Sequence, residues 1–124
     1  MAGHRSNTLS ESDVLAADII FGMTREHVRE VAVLVPEAWG RTFTLKEFVR
    51  RSRPFPPWSP SQPFAEWLAG IHRGRERQEM QGDSIEDDVA DPIGGTPADF
   101  AATARLLREL CEMVADRIAP RVRP

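Results

Sequence analysis

The chain is 124 residues long, with 41% hydrophobic and 28% charged residues, and 16 basic against 19 acidic side chains give a formal net charge of -3. A dedicated nucleic-acid-binding protein needs clustered Lys and Arg and a high pI, so this charge balance excludes that class. The sequence contains no run of about 18 apolar residues, so it predicts no membrane span. The amino terminus lacks the apolar core of a signal peptide. We therefore expect one cytoplasmic domain. The single cysteine, Cys111, excludes an intrachain disulfide and a cysteine-cluster zinc site.

Two segments have the composition of buried strands. Residues 18–23, apolar from Ile19 onward and rich in β-branched and aromatic side chains, suit a parallel strand covered on both faces. Residues 41–44 predict a second, shorter strand. Because helices precede, separate and follow these strands, we expect an α/β layered domain with a parallel sheet. Two strands are too few to cover the helix faces, so the chain has the pattern of an incomplete domain in which the apolar face of residues 19–23 is badly covered.

Capping residues and apolar spacing predict five helices. Thr44, with Glu47 three residues later, predicts a capping box. Thr96 is the cap of the longest helix, which Pro97 opens. The predicted helices cover residues 11–17, 25–34, 45–51, 64 onward, and 97–118.

The segment between the third and fourth helices, residues 53–63, contains five prolines, which forbid helix and sheet interior. Its PxxP spacing is typical of polyproline II segments that dock in SH3-like or WW-like grooves, which predicts a non-catalytic interaction protein. The other interpretation is an ordered, proline-stiffened loop, with Trp58 and Trp67 as packing anchors. Burial of Trp58 separates the two.

Four stretches carry a family resemblance. They are His4-Arg5-Ser6 with Leu9, residues 17–27 (ADIIFGMTREH), residues 41–48 (RTFTLKEF) and residues 87–95 (DDVADPIGG). In this order and spacing they resemble the low-molecular-weight protein-tyrosine phosphatase family, particularly its actinobacterial members. The first stretch is similar to the segment before the family's third strand. The next two resemble the third and fourth strands with their helices, and the last resembles the loop that carries the general acid.

The resemblance implies a flavodoxin-like, doubly wound sheet of four parallel strands and a two-step hydrolysis of phosphomonoesters. In this family a cysteine thiolate and an arginine lie in a Cys-x5-Arg-Ser loop between the first strand and the first helix, where amide N–H groups bind the phosphate. The first strand, that loop, the first helix and the second strand all fall before residue 1. Residues 1–124 therefore match the carboxyl-terminal two thirds of such a domain, with a reduced parallel sheet.

By resemblance Asp91 is the general acid, which protonates the leaving oxygen and later deprotonates the attacking water. The alternative is a solvated turn residue ahead of the Thr96 cap. Ile93 stands where family members often place an aromatic residue, which weakens the expectation of an aryl phosphate. An intact relative acts on a phosphotyrosine protein or a small phosphomonoester, and the family includes arsenate reductases.

Without the thiolate, Asp91 has nothing to protonate, so we expect no phosphatase turnover from these 124 residues. Two alternatives stay open: a degenerate binding protein that has lost catalysis, and a shortened gene model of an active phosphatase or arsenate reductase-like enzyme. The DNA upstream of the codon for Met1 distinguishes them.

Cys111 and Arg117 satisfy the bare spacing of cysteine, five residues, arginine, but the segment contains no glycine and two acids that repel phosphate. Cys111 instead falls on the apolar stripe of the last helix, so we expect a buried core cysteine. The predicted core face of that helix is Phe100, Ala104, Leu107, Leu110, Cys111, Val114 and Ile118.

The remaining polar groups predict no metal and no cofactor. The three histidines, His4, His27 and His72, share no metal-ligand spacing, which favours surface or capping roles. Two arginine runs predict either a basic patch for a phosphorylated partner or a solvated face, and the second interpretation is favoured. The runs are Arg50, Arg51, Arg53 and Arg73, Arg75, Arg77. We expect no nucleic-acid or membrane partner, and the uncovered sheet surface offers a contact for oligomerisation.

Overall fold

A computed structural model describes residues 10–82, 84, 86–90 and 94–119 of the chain. It is a helix-rich α/β structure with one small parallel sheet. In the described part, no helix combines the length and the apolar character needed to cross a bilayer. The elements are α1 (Glu11–Ala16), β1 (Ile20–Gly22), α2 (Arg25–Leu34), a 3-10 helix (Pro36–Arg41), β2 (Thr42–Thr44), α3 (Leu45–Ser52), α4 (Phe64–His72), a second 3-10 helix (Arg77–Met80) and α5 (Pro97–Ile118).

The two predicted strands exist and pair in parallel, which confirms the α/β prediction at the level of class. Ile20 lies opposite Thr42, Phe21 opposite Phe43, and Gly22 opposite Thr44. The first strand is shorter than predicted, three residues, and the second has three residues within the predicted range 41–44. In the described part of the chain, each strand pairs only with the other. The regular strand structure is therefore limited to the residues of β1 and β2 that lie opposite each other.

Side chains on alternate residues of β1 point into two different apolar clusters. Ile20 packs against the cluster of Val14, Val31, Val35 and Ala38, on the side of α1 and α2. Ile19, Phe21 and Met23 pack against the larger cluster on the other side. Its buried members are Phe43, Leu45, Phe48, Trp67, Leu68, Ile71, Val89, Leu110 and Val114. Helices therefore cover both faces of the strand pair, as a parallel sheet requires.

The longest helix, α5, begins as predicted and buries part of the predicted core face. Thr96 and Asp99 form a reciprocal capping box, with Pro97 in the first turn. Four of the predicted core residues pack against the larger cluster, together with Leu106; they are Leu107, Leu110, Val114 and Ile118. Two predicted members do not: Phe100 is 51% exposed, and Ala104 is also exposed.

The prediction of a buried core cysteine is wrong, because Cys111 is exposed. Cys111 follows Leu110 by one residue, which rotates it about 100° around the helix, away from the buried stripe. Near the beginning of α5, Phe100 is 51% exposed, and the first apolar side chains of the helix that pack against the core are Leu106 and Leu107.

The proline-rich loop between α3 and α4 is fastened to the rest of the fold. Trp67 donates from Nε1 to the Pro56 carbonyl at 3.0 Å, and Trp58 donates from its backbone N–H to the Arg117 carbonyl at 2.8 Å. Arg117 in turn donates to the carbonyls of Ser52 and Phe55. Trp58 is half-buried against Phe64, so the prediction that both tryptophans act as packing anchors is confirmed.

Candidate functional site

The carboxyl ends of β1 and β2 form the edge where this fold is expected to bind ligands. Both strands are parallel, so Gly22 and Thr44 end on the same side of the sheet, and α2 and α3 begin there. In open parallel sheets, ligands bind outside these carboxyl ends, where helix N-termini converge. Residues 86–90 lie across this edge: the Val89 N–H donates to the Met23 carbonyl at 2.8 Å.

The turn from β1 into α2 is tight because of Gly22. A Cβ at this position would lie 2.7 Å from the Cβ of His27, well inside contact distance. His27 accepts a hydrogen bond from the Met23 N–H through Nδ1 at 3.2 Å, and Thr24 accepts from the His27 N–H through Oγ1 at 3.3 Å. These two bonds satisfy donors at the beginning of α2. The capping role predicted for His27 is confirmed.

Asp88 connects residues 86–90 to the beginnings of α2 and α3. Its Oδ1 accepts from the Arg25 N–H at 2.8 Å, at the first residue of α2, and its Oδ2 accepts from the Ser84 N–H at 2.9 Å. Its carbonyl accepts from Lys46 Nζ at 2.9 Å, in the first turn of α3. A carboxylate at a helix N-terminus is stabilised by the helix dipole as well as by the hydrogen bond.

Asp87 is fully buried and lies between two arginines. Arg25 donates from Nε to Asp87 Oδ2 at 3.0 Å, and its Nη2 lies 2.9 Å from the same oxygen. The Nη2 of Arg50 lies 3.1 Å from Asp87 Oδ1 as an ion pair, without the alignment of a hydrogen bond. Arg50 also pairs with the exposed Glu86 at 3.3 Å. These cations therefore position residues 86–88, and Arg50 does so while its side chain stays 42% exposed, as the predicted solvated face requires.

Asp91 and Ile93, the site residues taken from the resemblance, lie outside the described residues, as does His4. The described segment ends at Ala90, immediately before Asp91. The sequence did not reveal that Asp87 and Asp88 hold residues 86–90 against α2 and α3. Their signal was present as three consecutive acids, Glu86-Asp87-Asp88, directly before the apolar Val89. The partner Arg25 is more than 60 residues away in the chain, and sequence spacing does not reveal such a pair.

A second polar cluster, formed by Glu47 and Arg75, contacts β2 through the ring of Phe43 and has a structural role. Arg75 makes two hydrogen bonds to Glu47, Nε to Oε2 and Nη2 to Oε1, both at 2.9 Å. Its guanidinium lies 4.0 Å from the centre of the Trp39 ring and 4.3 Å from that of Phe43. Burial lowers the pKa of Arg75, and the charge of Glu47 opposes that shift. Arg75 is 8% exposed, so the solvated face predicted for it is wrong.

His72 completes this cluster. Its ring packs edge-on against Trp39, and its Nδ1 lies 3.2 Å from Nη1 of Arg75. Burial lowers the pKa of His72 below its usual value, and the positive charge of Arg75 adds to that effect. His72 is therefore a packing residue beside a buried ion pair. No group of three His, Cys, Asp or Glu side chains in the described ranges is placed to hold a metal ion.

Cys111 cannot act as the nucleophile of a phosphate loop. It lies inside α5, where backbone N–H groups donate to carbonyls one turn earlier and cannot cradle an anion. Comparison of the chain with models of known protein families, with curated proteins and with solved structures finds no match. The functional interpretation therefore depends on the sequence motifs and on the geometry of the carboxyl edge.

Proposed function

We propose that this chain is the carboxyl-terminal part of a phosphomonoester hydrolase domain of the low-molecular-weight protein-tyrosine phosphatase type, with a flavodoxin-like sheet in its complete form. One observation carries the proposal: residues 86–90, which lead directly into Asp91, lie across the carboxyl edge of the parallel strands. A general acid must lie close to the ligand that it protonates, so an acid for a ligand bound at this edge has to come from a segment that lies at the same edge.

In this proposal the chain supplies the acid and the substrate-facing edge, and an amino-terminal segment supplies the nucleophile. Asp91 protonates the leaving oxygen when the thiolate attacks phosphorus, and it then takes a proton from the water that hydrolyses the phosphocysteine. Arg25 and Arg50 are paired with Asp87 and Glu86, so binding of the phosphate dianion falls to the Cys-x5-Arg-Ser loop. The substrate class is a phosphotyrosine protein or a small phosphomonoester.

The 124 residues alone are expected to be inactive. Their one cysteine is exposed within α5, where the backbone N–H groups are used by the helix and cannot bind a phosphate. The alternative function, docking of the proline-rich loop into a partner, is less favoured because the loop carbonyls of Phe55 and Pro56 already accept hydrogen bonds within the chain.

A chimeric protein tests the proposal. The first strand, Cys-x5-Arg-Ser loop, first helix and second strand of a low-molecular-weight phosphatase are joined ahead of residue 1. We expect the chimera to hydrolyse p-nitrophenyl phosphate. We expect Asp91→Asn to lower its kcat by about 10²–10⁴, the usual contribution of a general acid.

Two controls make the assay specific. Asp116→Asn changes an exposed aspartate on α5 and is expected to leave kcat unchanged. Replacement of the loop cysteine by serine is expected to abolish turnover. A chimera that melts cooperatively but shows no hydrolysis, or hydrolysis that does not respond to Asp91→Asn, refutes the proposed function.

A further inference from the structure

A pocket of about 280 Å³ lies where α2 meets the two 3-10 helices. One wall comes from α2, Trp39 belongs to the first 3-10 helix, and Arg77 begins the second. The lining residues are Arg29, Ala32, Val33, Trp39, Arg77 and Gln81. None of the residues described above at the carboxyl edge is among them, so this pocket uses a different set of side chains from the proposed hydrolase site.

Two arginines give the pocket a cationic lining. Arg29 is partly buried and donates from Nη1 to the Gly82 carbonyl at 2.8 Å, which holds its guanidinium in place. Arg77 is exposed. None of the described residues that line the pocket is acidic. Because guanidinium groups bind carboxylates and phosphates through paired, charge-assisted hydrogen bonds, this lining favours an anionic ligand.

Trp39 adds an aromatic surface to the same pocket. The indole is half-buried, the guanidinium of Arg75 lies 4.0 Å from its centre, and His72 meets it edge-on. These two contacts hold the ring in place. Glu47 neutralises Arg75 through two hydrogen bonds of 2.9 Å, so the charge that an anion meets comes from the two lining arginines. A ring held in this way suits an aromatic ligand, since two rings pack favourably when they are offset-stacked or edge-on.

The volume of the pocket limits the size of its ligand. Pockets for drug-sized ligands enclose about 300–1,000 Å³, and this pocket lies just below that range. Ala32 and Val33 contribute a short apolar wall, and the amide of Gln81 can donate or accept a hydrogen bond. The space therefore suits a ligand with a single ring.

We propose that this pocket binds a one-ring aromatic anion, an aryl carboxylate or an aryl phosphate. The ring packs on Trp39, and the anionic group pairs with Arg29 and Arg77. Because the ring and the charge are matched by different lining residues, a ligand that lacks either one binds more weakly. This inference does not depend on the proposed hydrolase activity.

The test titrates the ¹⁵N-labelled 124-residue chain with benzoate and with phenyl phosphate and follows the indole N–H signals. Trp58 and Trp67 donate their indole N–H groups to the carbonyls of Gln62 and Pro56, so their signals are internal controls. We expect both anions to shift the Trp39 signal saturably and to leave the other two unchanged. The lower of the two dissociation constants identifies the anionic group that the pocket prefers.

Two matched compounds test the ring and the charge separately. Cyclohexanecarboxylate keeps the charge without the aromatic ring, and benzamide keeps the ring without the charge. We expect each compound to bind at least fivefold more weakly than benzoate. These comparisons use the unaltered chain, so they give a result whether or not a variant folds.

Two matched variants locate the site. Arg77→Gln removes one lining cation from an exposed position and is expected to weaken the binding of both anions at least fivefold. Arg73→Gln removes the same charge from an exposed position that is not among the described lining residues, and it is expected to leave binding unchanged.

Three outcomes overturn the inference: no saturable shift of the Trp39 signal, equal binding of benzamide and benzoate, or equal effects of Arg77→Gln and Arg73→Gln. An active chimera together with an unchanged Trp39 signal would remove this inference and leave the proposed function standing.

Discussion

Glu47 and Arg75 form a buried, two-point ion pair that joins α3 to the segment after α4. Both hydrogen bonds measure 2.9 Å, and Trp39 and Phe43 enclose the guanidinium. A bidentate pair between Arg and a carboxylate is stronger than a single hydrogen bond. The planar guanidinium is also attracted to the aromatic faces. Phe43 belongs to β2, so the pair contacts the strand that ends at the carboxyl edge.

Removal of one member of this pair is expected to be costly. Arg75→Met leaves the Glu47 carboxylate buried, with Arg51 as its remaining ion pair among the described residues, and we expect a loss of about 3–5 kcal/mol in the free energy of unfolding. The double variant with Glu47→Leu removes both charges and is expected to be more stable than Arg75→Met alone. Urea denaturation measures both. Arg73→Met, at an exposed position, is the control, and an equal loss in that variant would contradict the account.

His72 predicts a pH dependence of stability. Because its pKa is lowered in the folded chain, the unfolded chain binds more protons between the folded pKa and the ordinary value of 6.5. Stability is therefore expected to fall as the pH is lowered through 6.5, and the loss is complete below the folded pKa. The charges that face the imidazole are Arg75, Arg51, Glu47 and Arg77.

The measurement compares the free energy of unfolding at pH 7.5 and pH 5.5 for the unaltered chain and for His72→Gln. Carboxylates that titrate in this range contribute equally to both proteins, so the difference isolates the histidine. A smaller acid-induced loss in His72→Gln is the expected result, and identical losses would show that His72 does not contribute.

Asp87 is expected to hold residues 86–90 at the carboxyl edge. Asp87→Asn removes the buried charge that Arg25 and Arg50 share, and loss of a hydrogen bond to a charged group costs about 1.5–3 kcal/mol. We expect the Val89 amide to exchange about 10- to 100-fold faster, since its bond to Met23 opens with the segment. Glu86→Gln, at a carboxylate that is 79% exposed, is the matched control. Equal exchange rates at Val89 in the two variants would count against a positioning role for Asp87.

Gly22 is expected to tolerate no side chain. Gly22→Ala places a Cβ 2.7 Å from that of His27, so α2 must shift, and overpacking of this kind costs about 1–3 kcal/mol. Gly40→Ala is the control, because its Cβ would meet the His72 ring at an ordinary 3.6 Å. Thermal melting of the two variants tests this, and a Gly22→Ala protein as stable as the Gly40→Ala protein would contradict it.

Local chemistry predicted the elements well and the polar clusters poorly. Thr24, Thr44 and Thr96 each accept a backbone N–H at the start of the helix they were predicted to cap. Glu47 shows the limit. Its position predicted a capping box with Thr44, and the Glu47 N–H does donate to Thr44 Oγ1, but its carboxylate binds Arg75 instead.

The competing interactions come from parts of the chain that are distant in sequence. A partner 28 residues away offers Glu47 a bidentate, desolvated bond that outweighs a local one. The predicted burial of Cys111 was wrong for a related reason. Helical spacing predicted one continuous stripe on α5, and most of its carboxyl-terminal part does pack against the core, but Cys111, one residue after the buried Leu110, stays exposed.

The most direct test of the central claim, that this chain delivers a general acid to the carboxyl edge, is the leaving-group dependence of the chimeric enzyme. Phenyl phosphate has a poor leaving group that needs a proton, whereas p-nitrophenyl phosphate has a better one and needs it less. We expect Asp91→Asn to reduce kcat for phenyl phosphate at least tenfold more than for p-nitrophenyl phosphate. An equal reduction for the two substrates, or none, would contradict the claim.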